Sequence, residues 1–331
     1  MVVESVAYAR AGLAGNPSDG YFGKCLAVIV KDFSARVWLE PTDTIEIVPS
    51  PEDRPAYASL DDFMHEIQLH GYYGAERLMK AAIRRFVRYC REHNHPLHTK
   101  GFRLNYRSTI PRRVGLSGSS GLITATLRCL MKFYGVDIAK PILATLIRNV
   151  ENEDLGIGAG LMDRVMQVYE GCVFMDLDRE YVEKNGYGRY EEIDVNLLPP
   201  LYIAYRTDLA EGSEVFHNNI KERFFRGDPD VVQAMKDFGT IAQTVRDLIV
   251  AGRGREIGPW MDKNFDRRRS IFKLSAGDIE MVERARTTGA SAKFAGSGGA
   301  IVGTYPDEAT YERIVKVFAG TGTEVFKPTI R

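Results

Sequence analysis

The chemistry-bearing feature of this chain is a run of small residues, Gly115, Ser117, Gly118, Ser119, Ser120 and Gly121, inside VGLSGSSGLITATLRCLMKF (114–133). Larger side chains would pack better, so such a run suits a place where the backbone must approach something closely. A helix opening here would offer an anion unpaired N–H donors and roughly half a positive charge. The hydroxyls of Ser119 and Ser120 could cap that helix, touch a phosphate or ligate a magnesium ion. The stretch is not a Walker A loop, because no Gly-Lys-Ser/Thr follows at the required spacing. A capped helix after a tight turn, with no ligand, is the plain alternative, although it needs fewer small residues.

A second segment, VENEDLGIGAGLMD (150–163), sets Glu151 and Asp163 on either side of a loop with Gly156, Gly158 and Gly160. Phosphoryl transfer needs charge neutralised at the β- and γ-phosphates and a group that orients or deprotonates the accepting hydroxyl. Two carboxylates flanking a flexible loop suit both tasks. The alternatives are an N-cap or an Arg164 partner for Asp163, and a surface helix-end carboxylate for Glu151, with Glu153 as competitor. Arg10, in ARAGLAGNPSD (9–19), offers a guanidinium fork that matches phosphate oxygens, or else an ion pair at a strand end. Asp19 can accept hydrogen bonds from sugar hydroxyls, or simply form a turn beside Pro17 and Gly20.

Positioning these groups takes a mixture of strands and helices. Strands are expected around 4–13, in CLAVIVK (25–31), ARVWLE (35–40) and TIEIV (44–48), where β-branched and aromatic residues dominate. GFRLNYRS (101–108) alternates as a half-buried strand. Residues 74–93 have helical periodicity, with Ala75, Leu78, Met79, Ala82, Phe86 and Tyr89 on one stripe. Arg77, Lys80, Arg84, Arg85, Arg88 and Arg91 lie mostly opposite, as a solvated face without interleaved aromatics. Further helices are expected at 120–134, 139–153, 162–169, 214–225, 229–252 and 276–288, and strands at 291–295, 299–304 and 323–327. NLLPPLYIAYR marks a boundary near residue 196.

Composition bounds the class. The chain has 331 residues, 44% of them hydrophobic, with 44 basic and 44 acidic side chains. Zero net charge excludes the basic field that nonspecific nucleic-acid binding requires. No apolar run approaches the ~18 residues of a membrane span, and the N-terminus lacks signal-peptide character. The scattered cysteines Cys25, Cys90, Cys129 and Cys172 point to reduced thiols in a cytoplasmic protein. His93, His95 and His98 read as a polar loop rather than a metal site.

The motifs together carry a resemblance. IPRRVGLSGSSG (110–121) resembles the second motif of the GHMP kinase superfamily, a proline and then Gly-Leu-Gly/Ser-Ser-Ser opening a helix. Here Gly118 replaces a common serine and Arg113 a small residue. ARAGLAGNPSD is similar to the N-terminal motif, an arginine and a Gly-Glu-His-Thr-Asp-like turn, and AKFAGSGGAIVGT (292–304) to the third glycine motif. The resemblance implies an α+β, two-lobed GHMP kinase fold. Residues 1–196 would form a ribosomal-protein-S5-domain-2-like lobe and residues 197–331 a ferredoxin-like one.

It also implies ATP and Mg2+ as cofactors and a small-molecule acceptor. Nucleotide would bind at Pro111, Gly115, Leu116, Ser117, Gly118, Ser119, Ser120 and Gly121, and metal at Ser119 and Glu151. Asp163 and Arg10 would be catalytic. The acceptor would meet Asn16, Asp19, Tyr21, Gly296, Ser297, Gly298, Gly299 and Arg268. Finer wording (GNPSDGYFG, GYYGAERLM, DVNLLPPL, NFDRRRS) is similar to the branch that phosphorylates D-glucuronate at C1. A uronate carboxylate needs a cation once desolvated. Arg267, Arg268, Arg269, Lys293 and Arg206 are the candidates, while Tyr72 and Tyr73 suit stacking on a ring or core packing.

Overall fold

A computed structural model describes residues 1–50, 74–206 and 220–330. Its first sheet is built on β2 (Lys24–Thr42), which pairs with β1 (Val3–Ala14) along most of its length. Lys24–Val28 of β2 also pair with β5 (Cys172–Asp176), and Ala35–Thr42 pair with β4 (Gly101–Ser108). β3 (Ile45–Ile47) and β6 (Arg189–Ile193) complete the edges, in the order β3-β4-β2-β5-β6.

CLAVIVK and ARVWLE, expected as two strands, are therefore one. The register with β1 jumps from Tyr8↔Ser34 to Ala9↔Val30, so the break at residues 31–33 is a bulge, not a turn. The bulge anchors the chain's far end. Lys31 N donates to Thr329 O, Asp32 accepts from Thr329, and the Phe33 ring meets Tyr205 and Phe326 edge-on.

The second half of β1 is buried at every residue, because it is covered on both faces. Helices α1 (Ala75–Glu92), α2 (Gly118–Tyr134), α3 (Lys140–Asn149) and α4 (Met162–Tyr169) belong to one side, and α2 and α4 pack on β1 and β2. From the other side come α6 (Pro229–Val250), capped by Asp228 with Pro229 at its first turn, and α7 (Gly258–Ile271). A short helix α5 (Arg179–Asn185) links β5 to β6.

The second sheet runs β10-β7-β9-β8, from Glu324–Phe326, Leu201–Tyr205, Ala300–Thr304 and Lys293–Phe294. It is entirely antiparallel, with α8 (Ala276–Arg286) and α9 (Glu308–Phe318) beside it. The first sheet takes every described strand up to Ile193 and the second every described strand from Leu201.

Several expectations need adjusting. The helix anticipated over 139–153 ends at Asn149 and continues as a π-helical turn, Val150–Asp154, a geometry that often marks functional positions. The helix anticipated over 214–225 falls partly outside the described residues, as do Tyr72 and Tyr73; residues 220–225 are helical. β5, β6, α5, α7 and α9 were not anticipated. The period of α7 is masked because Asn264 and Arg268 occupy inward positions that a helical stripe gives to apolar residues. His93 stacks on Tyr89 and His98 packs against Tyr134, after the end of α1.

The basic face of α1 is solvated except at Arg85, which is buried. Its guanidinium donates to Asp154 Oδ2 at 2.6 Å, Glu153 Oε2 at 2.8 Å and Asn149 O at 3.3 Å, so α1 clamps the π-turn that carries Glu151. Breaking one side of a buried ion pair leaves the other charge stranded. Arg85→Ala is expected to lower unfolding free energy by about 3 kcal/mol, because Asp154 keeps only the exposed Arg84. Urea denaturation measures this, and a loss under about 1 kcal/mol would mean the clamp does not seat the turn.

Candidate active site

Arg10 gathers the site. It is buried on β1, and a buried guanidinium must place its donors on acceptors. Nε donates to Asp163 Oδ1 at 2.7 Å, and Nη1 to Gly115 O at 2.6 Å and Ala295 O at 3.1 Å. One side chain thus joins the first turn of α4, the serine-rich loop and the loop after β8. Gly12 N adds a backbone bond to Ala295 O at 2.8 Å.

The two glycine loops meet backbone to backbone. A Cβ on Gly296 would lie 2.1 Å from Gly115 O, and one on Gly115, whose φ is +69°, would lie 2.8 Å from Ser297 N. Only glycine allows that approach. At the start of α2, Ser117 adopts a left-handed conformation (φ 70°, ψ 43°), and its side chain makes no capping bond to the helix. No acidic residue occupies its first turn either. Ser120 Oγ turns back to Ser117 O, and Gln167 Nε2 holds the same carbonyl. Ser117 Oγ is buried with no aligned partner, yet close enough to Asp163 to weigh on its carboxyl. Pro111 and Leu116 frame the loop, with Leu116 in the core.

The turn of residues 15–21 is fastened from the second half of the chain. Asn264 on α7 accepts from Gly15 N and donates to Asn16 O. Lys293 Nζ donates to Gly12 O, Asn16 Oδ1 and Phe294 O, all neutral acceptors. Asn16, expected to meet the acceptor, is thus committed to Lys293 and is buried. Tyr21 packs edge-on to Phe224, and burial followed by the charge of Asp19 pushes its hydroxyl up to about 12.

Asp19 and Asp163 face each other across this turn with divergent acidities. Burial, then the neighbouring Asp163, pushes Asp19 up to about 6, although Met162 N donates to its Oδ2. Burial would raise Asp163 too, but the charges of Arg10 and then Arg164 outweigh it and hold the carboxyl at about 2. Environments that drive two carboxylates apart are a signature of acid–base sites. A Cβ on Gly160 would lie 1.9 Å from Asp19 Oδ2, so the glycine loop closes directly over this acid. Asp163 is 17% exposed, against 5% for the Arg10 side chain, 7% for Arg164 and 3% for Glu151. Of these four, Asp163 is the one that reaches outward.

Glu151 is not a surface residue. Its Oε2 accepts from both Nε and Nη2 of Arg164, the former at 2.7 Å, and burial raises its carboxyl while Arg164 counters. Arg164 also approaches Asp163 Oδ2 at 3.5 Å, so one cation serves both acids. Oxygen donors of the kind a hard cation takes are Glu151 Oε1, to which Arg164 does not donate, and the Ser119 hydroxyl on the first turn of α2. The third loop is held from outside: Arg268 donates to Gly296 O and Ser297 O, and Asp278 accepts from Gly299 N at 2.7 Å. A Cβ on Gly298 would approach Asp278 Oδ2 at 2.9 Å. The sequence marks neither Asn264 nor Asp278 and puts Arg85 on a solvated face, because nothing local signals a residue that supports a loop 20 or more positions away.

The match to known proteins follows this geometry. The GHMP kinases N terminal domain matches residues 77–171. The structure of Lactococcus lactis galactokinase complexed with galactose superimposes with a TM-score of 0.75, at 15% identity over 99% of this chain and 93% of that one. The fold is therefore the two-lobed α+β architecture of the GHMP kinases. Glucuronokinase 1 of Arabidopsis thaliana is 39% identical over 320 residues, 95% of this chain and 88% of its own length. Probable glucuronokinase 2 of the same plant is 41% identical over 322 residues, 95% of this chain and 87% of its own. The chain belongs to the glucuronokinase family of the GHMP kinases, and so to the ATP-dependent kinases.

The two acids leave opposite marks on stability. Folded Asp19 keeps a proton that the unfolded chain has lost between about pH 4 and 6, so this group makes stability fall as pH rises through that window. Asp163 acts in reverse: its contribution is present above about pH 4 and is lost as pH falls through about 2. Asp19→Asn should abolish the first effect, on the order of 3 kcal/mol. Denaturation series at pH 4, 5, 6 and 7 read this directly, and parallel curves for the two proteins would refute it.

Proposed function

We propose that this enzyme transfers the γ-phosphoryl group of ATP to the anomeric hydroxyl of D-glucuronate, giving ADP and D-glucuronate 1-phosphate. What supports this reading most is the start of α2, where the Ser117 side chain makes no capping bond, joined through Arg10 to Asp163, the Nη1–Gly115 O bond being 2.6 Å. A helix N-terminus near a carboxylate that remains ionised at neutral pH suits an anionic donor and a hydroxyl acceptor.

The amides of residues 115–121 hold the phosphates, with the Ser117 hydroxyl available to a phosphate oxygen. Ser119 and Glu151 would hold Mg2+, which supplies charge neutralisation at the transferring group. Asp163 accepts a hydrogen bond from the C1 hydroxyl and aligns it. A carboxylate held at about 2 is a weak proton acceptor, so alignment outweighs full abstraction in a loose transition state. Arg10 keeps that acid ionised and in place, and its field stabilises charge spreading over the phosphoryl oxygens. Asp19, with Tyr21 beside it, receives sugar hydroxyls.

Residues 1–196 form the lobe that carries nucleotide and acid, and 197–331 the lobe whose 296–299 loop covers the acceptor. Closure of the two excludes water from the γ-phosphate. Glucuronate 1-phosphate is the substrate that nucleotidyl transfer to UDP-glucuronate requires. Four free cysteines, all buried, are in keeping with a cytoplasmic setting. Among the described residues no helix is long and apolar enough to cross a membrane.

Asp163→Asn should lower kcat on D-glucuronate by roughly 1,000-fold while a fluorescent ATP analogue binds within about 3-fold of the original affinity. Coupled ADP-release assays with glucuronate, galactose and mevalonate establish the acceptor. An undiminished kcat, or faster turnover of galactose, would overturn the reading.

A further inference from the structure

Three arginines follow one another on α7, and the fold separates them. Arg267 pairs outward with Asp237 and Arg269 with Glu283. Arg268 turns inward and is 4% exposed, its guanidinium 5.2 Å from the Phe272 ring and 5.0 Å from that of Phe294. Nη1 and Nη2 donate to Gly296 O and Ser297 O, at 2.7 and 3.1 Å. Nε is buried with no hydrogen-bond partner, and no carboxylate lies within ion-pair distance of this guanidinium among the described residues. Burial lowers the Arg268 guanidinium to about 10, countered first by the charge of Asp278 and then by Asp19 and Tyr21, in the turn proposed to receive the sugar.

The neighbouring cations do not have this capacity. Lys293 uses its three ammonium hydrogens on Gly12 O, Asn16 Oδ1 and Phe294 O. Arg10 already holds Asp163. Arg10, Arg268 and Lys293 lie close enough to repel one another, and burial, followed by the charges of Arg268 and Arg10, pushes the Lys293 ammonium well below its ordinary range. Buried cations are tolerated when an anion completes them. A buried donor without an acceptor calls for a ligand or an explanation.

We infer that Arg268 receives the C6 carboxylate of the acceptor and thereby makes the site select a uronic acid over a neutral sugar. This rests on the glucuronate reading above. The unpaired Nε–H and the second hydrogen of a terminal nitrogen form the fork a carboxylate fits, fixed in orientation by the two phenylalanine rings and the two loop carbonyls.

The test compares D-glucuronate with its neutral isostere D-glucuronamide. The unaltered enzyme should favour the carboxylate by about 100-fold or more in kcat/KM, and R268Q should bring the two within about 3-fold of each other. R268K, which keeps charge without the fork, should retain a preference of about 10-fold. Parallel losses on both acceptors in R268Q would show that Arg268 only supports the loop, and would overturn the inference. So would an unaltered enzyme indifferent to carboxylate or amide. If circular dichroism finds R268Q unfolded, R268K decides, and an unchanged preference there rejects the proposal. An unaltered enzyme active on another sugar but not on glucuronate would defeat the substrate reading itself, a distinct result.

Discussion

A guanidinium taken out of water needs acceptors in fixed positions, and Arg10 finds them on three segments remote from one another in sequence. Asp163, Gly115 O and Ala295 O converge on it from the start of α4, the entry to α2 and the exit of β8. That constraint brings the serine-rich loop, Asp163 and the second half of the chain together. The rest of the site follows from it. Gly115 and Gly296 must lack side chains because Arg10 has drawn their backbones to within a Cβ's reach of each other.

Charge at the site is graded by layers. Arg164 is shared between Glu151 and Asp163, while among the described acids Arg10 pairs with Asp163. Asp19 lacks a comparable partner, so burial and its acidic neighbour raise it while Asp163 is held down. Two carboxylates of one turn and one loop therefore differ by environment, not by type. Outside them lies a ring of supports: Asn264 on the 15–16 turn, Asp278 on Gly299, and Arg85 on the π-turn carrying Glu151. Each fixes backbone, which lets the acids keep their orientation without strain in their own side chains.

The serine-rich loop stands out in the sequence because its signal is local. Six small residues before an apolar stretch, an arginine on a strand and an acid after a glycine loop state their chemistry in their own types. Long periodic helices were equally plain, as at 75–92 and 229–250. β2 was read as two strands because a bulge and a turn both interrupt apolar alternation, and only the register with β1 tells them apart. α7 went unread because two of its inward positions hold Asn264 and Arg268, whose polarity serves the site and erases the amphipathic stripe.

Which residues are candidates to touch a phosphate is already written in the amino-acid sequence, in three motifs spread across 331 residues. Backbone freedom and side-chain chemistry are properties of residues and survive in a one-dimensional record. Tertiary structure alone decided which of three consecutive arginines turns inward, that Lys293 is filled by neutral oxygens, and that Asp19 and Asp163 part in acidity. Those outcomes depend on desolvation and on distances between charges, quantities that exist only once the chain has closed around them.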